Sequence, residues 1–112
     1  MTTSKGKKAA PSVPHKPHLL NWLKVAGNAA AYIDAAIEEG DEAGLMQALR
    51  NVADARGGIA SVAEKTGLNR ETLYRTLSKR GNPKLKSLAS ILDATGLRLT
   101  VTAARGAARK AA

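Results

Sequence analysis

The sequence predicts a small, mainly α-helical fold of about five helices with one β-strand near its carboxyl end. Apolar residues recur at i, i+3, i+4 and i+7 in successive segments that end at glycine, which is the pattern of amphipathic helices. Leu97, Leu99 and Val101 instead alternate with polar residues, and this alternation predicts a strand over residues 97–102. Because a lone strand leaves its backbone groups unpaired, we expect it to pair with the same strand of a second copy or with an edge of another protein.

The chain divides into one predicted domain with a basic tail on each side. Residues 1–18 combine lysines with prolines spaced three apart, without helical or strand periodicity, and predict a disordered leader. Residues 19–102 contain all the periodic segments, and residues 103–112 form an Ala, Gly, Arg and Lys tail that we also expect to be disordered. His15 and His18 lack a third ligand nearby in the sequence, so we expect neither a metal nor another cofactor.

Glycines and capping residues set the limits of the first three predicted helices. The first covers residues 19–26 and is interrupted at residues 27–28. The second carries its apolar stripe from there to Gly40, where a left-handed residue can end it. The third begins at Asp41, which is a favoured N-cap, and runs to the glycines at residues 57–58.

The centre of the chain predicts two short helices joined by a tight turn. The first ends at Gly67, and Asn69 can cap the second by accepting from a free backbone N–H group. Leu73 and Leu77 of the second helix point toward the core. Since Ala63 is small enough to let the two helices cross closely, this segment is expected to be a helix-turn-helix.

A polar, basic loop separates this motif from a last helix. Pro83 suits the first turn of that helix, and Gly96 is expected to end it. The predicted buried face of the helix consists of Leu85, Leu88, Ala89 and Leu92.

The charge of the 112-residue chain favours a polyanionic partner, because 18 basic residues oppose 9 acidic ones and the sequence pI is near 10.3. The cations are concentrated: residues 65–86 hold seven basic residues against Glu71 alone, whereas residues 25–64 hold seven acidic residues against two basic ones. The absence of cysteine, of a secretory signal and of an apolar run of roughly 20 residues predicts a cytoplasmic protein without membrane spans. One Trp and two Tyr argue against an aromatic platform for single-stranded nucleic acid.

The second helix of the central motif carries the residues with which we expect the chain to read double-stranded DNA. Its exposed face is predicted to present Arg70, Glu71, Thr72 and Arg75. Each arginine can pair with a guanine edge, while Glu71 can accept from a cytosine amine, cap the start of the helix or hold Arg75. The cations of the following loop either clamp phosphates or are merely solvated. We do not expect an enzyme, since no Ser, Cys or metal constellation accompanies a base.

Several motifs, in order and with matching gaps, resemble the addiction-module antidote family, which is related to the Cro and phage-repressor superfamily. They are YIDAAIEEGD at 32–41, ALRNVADARGG at 48–58, GLNRETLYRTLS at 67–78, GNP at 81–83 and TGLRL at 95–99. The resemblance covers roughly residues 23–101 and implies a lambda-repressor-like DNA-binding domain. It also implies a bacterial or phage-derived antitoxin of a type II system that neutralises a toxin of the RelE and ParE group and represses their shared promoter as a homodimer.

The same resemblance assigns roles to individual residues. It places Arg70, Glu71, Thr72 and Arg75 at the major groove of an inverted-repeat operator. Asn69 and Tyr74 fall where contacts with the DNA backbone are common. The loop that flanks the phosphates would contribute Lys79, Arg80, Asn82 and Lys84.

Two alternatives to the repressor–antitoxin hypothesis remain open. One is a solitary phage-type regulator that binds DNA without a toxin. The other is a protein-interaction module that uses the acidic helices of residues 32–55 and keeps only a vestigial helix-turn-helix.

Overall fold

The computed structural model describes residues 15–104, which contain six α-helices. The helices are α1 (Lys16–Trp22), α2 (Ala26–Glu39), α3 (Glu42–Ala55), α4 (Gly58–Thr66), α5 (Arg70–Thr76) and α6 (Leu85–Ala94). The mainly α prediction is therefore confirmed, and the six helices correspond to the six helical segments delimited in the sequence, although the stated count of about five was one too low. The predicted leader and tail lie largely outside the described residues, although α1 already begins at Lys16, three residues before the expected start.

Helix α3 lies at the centre of the fold, where it packs against α1, α2 and α4. Helix α4 in turn contacts α5 and α6, so the helices share one apolar core. Three side chains from different parts of the chain have almost no solvent exposure: Leu23 just beyond α1, Leu49 on α3 and Leu73 on α5. Within residues 15–104, no helix is both long enough and apolar enough to cross a membrane.

The break between the first two helices falls earlier than predicted. Helix α1 ends at Trp22 and α2 begins at Ala26, so Gly27 and Asn28 lie inside α2 rather than between helices. The side-chain amide of Asn28 donates to the Trp22 carbonyl at 2.9 Å. The same carbonyl accepts from the Val25 N–H at 3.3 Å, so the end of α1 is joined to the start of α2 by both bonds.

The other helix limits are mostly those expected from glycine and capping residues. Gly40 ends α2 with a φ of 74°, as predicted from its left-handed preference. Asp41 occupies the N-cap position of α3, but its side chain makes no capping hydrogen bond. Arg56, just beyond α3, donates to the carbonyls of Lys24 and Thr95 and thereby joins the ends of α1 and α6.

The beginning of α6 corrects two expectations. The helix starts at Leu85 with Lys84 as N-cap, so Pro83 precedes the helix instead of lying in its first turn. Leu85 is 70% exposed and does not belong to the core, whereas Ile91, which was not expected there, is buried. The helix enters the core only after its first turn, because Leu88 is the first of its leucines to pack against the apolar cluster.

The predicted β-strand at residues 97–102 is not formed in the described part of the chain. Leu97 donates its backbone N–H to the Leu92 carbonyl at 2.9 Å and packs against the core, but Val101 is 95% exposed. A strand needs a partner for its N–H and C=O groups, and residues 15–104 contain no second extended segment that supplies one. The alternation of apolar residues is therefore insufficient to make a strand in this single chain.

Candidate nucleic-acid interface

The turn between α4 and α5 is built by short-range hydrogen bonds. Gly67 donates its N–H to the Ala63 carbonyl in the last helical hydrogen bond of α4. Its left-handed φ of 79° then ends the helix. The backbone N–H of Leu68 donates to the Thr66 hydroxyl at 3.2 Å. Asn69 then accepts from the backbone N–H of Thr72 at 2.7 Å, as expected for an N-cap. This series of bonds fixes the direction in which the seven-residue helix α5 leaves the turn.

Helix α5 is anchored by two leucines. Leu73 and Leu77 are fully buried, at the positions predicted from the sequence. Each fully buried leucine contributes roughly 1.5–3 kcal/mol relative to an exposed one, so these two side chains hold a very short helix against α4. The opposite face of α5 is consequently left to solvent.

The predicted base-reading side chains lie on that exposed face. Arg70, Glu71 and Arg75 are exposed, whereas Thr72 is half-buried. Residues four apart are neighbours on adjacent helical turns, so Arg70 lies beside Tyr74 and Glu71 lies beside Arg75. The structure therefore divides the face into two adjacent pairs instead of a single arginine cluster.

The surroundings of α5 bear on two points that the sequence left open: whether Tyr74 is buried, and what the Glu71 carboxylate does. Tyr74 is 58% exposed, so it belongs to the surface and not to the core. Among the described residues, no ion pair joins Glu71 to Arg75, although they are neighbours on the helix. Glu71 lies in the first turn, where the positive end of the helix dipole favours a carboxylate.

The loop after α5 forms a tight turn that displays its cations. The N–H of Gly81 donates to the Ser78 carbonyl at 2.7 Å, and the Ser78 hydroxyl donates to the Arg75 carbonyl at 2.8 Å. A Cβ atom at Gly81 would overlap the Thr76 carbonyl, so only glycine permits this close approach. The predicted phosphate-contacting side chains are all exposed and follow one another along this turn: Lys79, Arg80, Asn82 and Lys84.

Arg50 on α3 stabilises the carboxyl end of α5, a role that was not predicted from the sequence. Its guanidinium donates to the carbonyl of Leu77, the residue that ends α5. The last carbonyls of a helix lack helical partners and carry partial negative charge, so a cation there stabilises the helix end. Arg50 lies in an acidic stretch 27 residues from Leu77, and no sequence pattern links the two.

A chain of hydrogen bonds continues from Arg50 to the amino-terminal helices. The guanidinium also donates to Gln47 at 2.5 Å, and Gln47 donates to the buried Asn51 at 3.1 Å. Asn51 donates to the Tyr32 hydroxyl at 3.0 Å, and the Tyr32 ring meets Trp22 edge to face at 6.3 Å. The carboxyl end of α5 is thus connected through polar contacts on α3 to α1 and α2.

The described charges divide between two parts of the molecule. Helix α5, its loop and the start of α6 expose a predominantly basic surface. Within residues 70–86, Glu71 is the single acidic side chain. The α2–α3 hairpin exposes only acidic charges from residue 25 to residue 49. Among residues 15–104, no three His, Cys, Asp or Glu side chains come together in a way that could hold a metal ion.

Comparison with known proteins gives a family for this helical fold. Residues 16–103 match the family described as "Probable addiction module antidote protein", and the chain belongs to that family. It is also similar to an uncharacterised protein of Haemophilus influenzae, with 30% identity over 74 residues, which cover 66% of this chain and 75% of that protein. No solved structure matches the chain significantly. Membership in an antidote family implies a cognate toxin as partner.

Proposed function

We propose that the chain is a sequence-specific DNA-binding antitoxin of a type II toxin–antitoxin system. It neutralises a toxin of the RelE and ParE group and represses the operon that encodes both proteins. In this proposal α4, the turn at residues 67–69 and α5 form a helix-turn-helix of the Cro and phage-repressor type, with α5 as the recognition helix. The protein acts by binding in the cytoplasm and not by catalysis.

The observation that carries the proposal is the exposed, basic face of a rigidly anchored α5. A recognition helix must keep its base-contacting side chains in a fixed orientation, and the buried leucines, the Asn69 cap and Arg50 restrain α5 at both ends. Arg70 and Arg75 present the forked donors that pair with guanine in the major groove. Family membership supports the antitoxin part of the proposal independently of this surface.

The remaining site residues have positioning roles in the proposal. Lys79, Arg80 and Lys84 neutralise phosphates beside the recognition helix, and Asn82 adds a neutral donor. Asn69 and Tyr74 lie at the edges of α5, where they contact the DNA backbone. Such contacts hold the protein in register on the duplex but do not select a sequence.

The active form is proposed to be a homodimer. Two recognition helices separated by roughly 34 Å contact successive major grooves on one side of the duplex, which requires an inverted-repeat operator. The extended segment at residues 97–104 has no backbone partner among residues 15–104 beyond the Leu97 hydrogen bond, so it is available for pairing with a second protomer.

The test is a fluorescence-anisotropy titration with the gene's own upstream DNA and with a scrambled duplex of equal composition. We expect roughly thousandfold tighter binding to the upstream DNA, and a steep loss of affinity between about 50 and 200 mM salt. The product of the adjacent gene is then added to the complex, and it should alter the affinity. Binding that ignores this product would favour the solitary regulator, and weak binding indifferent to sequence would favour the interaction module.

A further inference from the structure

A groove of about 190 Å³ lies on a different part of the molecule from α5. Its walls are formed by α2, α3, α6 and the segment that follows α6, and no residue of α4 or α5 lines it. The lining is mainly apolar and includes Ile33, Ile37, Leu45, Leu49, Leu88 and Leu99. Ile37 is 48% exposed although it belongs to the apolar stripe of α2. The groove thus leaves part of the apolar surface of three helices uncovered.

The side of the groove formed by the α2–α3 hairpin is acidic. Asp34 lines it directly, and Ile37 and Leu45 place the turn of the α2–α3 hairpin at its border. This stretch of the chain carries no Lys or Arg from residue 25 to residue 49. Its acidic residues, all exposed, are Asp34, Glu38, Glu39, Asp41 and Glu42. Arg98 is the basic residue of the lining, on the opposite wall.

The chain's own tails fit this surface poorly, and so does a second copy seated in the groove; the proposed pairing of residues 97–104 with a second protomer uses their backbone edge and not the apolar lining. Residues 105–112 contain only Ala, Gly, Arg and Lys, and residues 1–14 contain no large apolar side chain beyond Met1 and Val13. A two-fold contact centred on the groove would bring two acidic hairpins together, and like charges at an interface are strongly unfavourable. The surface is therefore complementary to a different protein that presents both apolar and basic side chains.

We propose that the groove binds a basic amphipathic segment of the toxin, with a large apolar side chain between α2 and α6 and Lys or Arg side chains against the α2–α3 hairpin. This inference rests on the proposed antitoxin function and specifies where the toxin binds. Charge complementarity along the acidic side of the groove accelerates encounter and selects the partner, and the desolvated apolar contact holds the complex together. Because α5 does not line the groove, toxin and DNA occupy separate surfaces of the antitoxin.

The test measures the affinity of the full chain for the purified product of the adjacent gene by isothermal titration calorimetry. Ile37→Glu adds a charge at the apolar border of the groove, and we expect it to weaken toxin binding about tenfold or more. Glu38→Lys with Glu39→Lys should weaken binding further as salt is lowered, since the added cations repel a basic partner. DNA affinity, measured in parallel with the operator duplex, should stay within about twofold for Ile37→Glu because no residue of α5 lines the groove.

The matched control is Val25→Glu, which introduces the same charge at an aliphatic residue that is 57% exposed and does not line the groove. It should leave toxin affinity within about twofold of the wild type. If the wild type binds the toxin and Ile37→Glu binds it equally well, the groove is not the toxin site and the antitoxin function stands. If the wild type does not bind the toxin at all, both proposals are overturned. Loss of dimer mass in Ile37→Glu by light scattering, with toxin binding unchanged, would instead assign the groove to a second copy.

Discussion

Arg50, on α3, stabilises the candidate recognition helix α5 through its hydrogen bond to the Leu77 carbonyl. We expect Arg50→Ala to lower the free energy of unfolding by about 1–3 kcal/mol, because a partly buried carbonyl then loses a charged donor. Arg50→Lys should recover only part of this loss, since an ammonium group cannot reach Leu77 and Gln47 with a planar fork. Urea denaturation followed by circular dichroism measures both variants.

The control for this prediction is Arg75→Ala, which removes an arginine from the exposed face of the same region. It should change the unfolding free energy by no more than about 0.5 kcal/mol. Equal stability of the wild type and the Arg50→Ala variant would show that the contact with α5 contributes nothing.

Arg70 and Lys79 of the proposed DNA surface should contribute differently to DNA binding, the first to sequence preference and the second to overall affinity. Arg70→Ala is expected to relax the preference for one base pair, which corresponds to about 1–3 kcal/mol of discrimination. Lys79→Ala should weaken binding to every sequence by a similar factor and reduce the salt slope by about one. Anisotropy titrations against single-base variants of the operator, at several salt concentrations, separate the two effects. Indistinguishable behaviour of the variants on all duplexes would contradict the assigned contacts.

At the scale of the element, α5 depends on its cap because it is only seven residues long. Removing the side-chain acceptor in Asn69→Ala should lower the free energy of unfolding by about 1 kcal/mol. Asn69→Asp preserves the acceptor for the Thr72 N–H, so its stability should lie within about 0.5 kcal/mol of the wild type. The aspartate should nevertheless weaken DNA binding, because it places a negative charge beside the phosphates. Unfolding and anisotropy measurements on both variants test this separation, and a loss of stability in Asn69→Asp equal to that in Asn69→Ala would argue against capping.

The turn after α5 requires glycine at position 81, where a Cβ atom would overlap the backbone. Gly81→Ala should destabilise the protein by about 1–3 kcal/mol, because the added methyl group meets the Thr76 carbonyl and the turn must shift. Gly27→Ala provides a matched control, since that exposed glycine lies inside α2 and its Cβ would meet nothing within 4 Å. The control should be stabilised by about 0.5–1 kcal/mol through the better helix propensity of alanine. A thermal melt of the two variants measures both signs, and an unchanged melting temperature for Gly81→Ala would show that the turn has room to relax.

At the scale of the whole molecule, the helices share one core, so the described domain should unfold in a single step. Trp22 packs against this core and contacts Tyr32, which makes it a reporter of the α1–α2 end. We expect its fluorescence and the helical circular dichroism to give coincident urea transitions, as two-state unfolding requires. A fluorescence transition at distinctly lower urea would indicate that α1 separates before the remaining helices unfold.

The molecule as a whole also separates its two charged surfaces. The acidic α2–α3 hairpin borders the apolar groove, while the basic residues follow α5. The polar contacts from Leu77 through Arg50 and Asn51 to Tyr32 run between these two regions. In the proposed function, the two charged surfaces allow one small domain to address an anionic partner and a cationic partner without competition between them.

The sequence by itself determined the features that arise from residues a few positions apart. The left-handed end of α4 at Gly67, the Asn69 cap and the burial of Leu73 and Leu77 were all predicted and are confirmed. Their physical basis is local, because helix hydrogen bonds, caps and apolar stripes involve partners three or four residues apart. The exposed positions of Arg70 and Arg75 follow from the same periodicity.

Only the tertiary structure decided the features whose partners are distant in the chain. Arg50 reaches Leu77 across 27 residues, and Arg56 reaches Thr95 across 39 residues. The groove likewise combines α2, α3 and α6, and the predicted strand fails because no partner strand lies beside it in the described chain. The physical reason is the same in each case: periodicity specifies which side of an element is apolar, but not which element will face it, and unpaired polar groups are satisfied only by what that packing brings near.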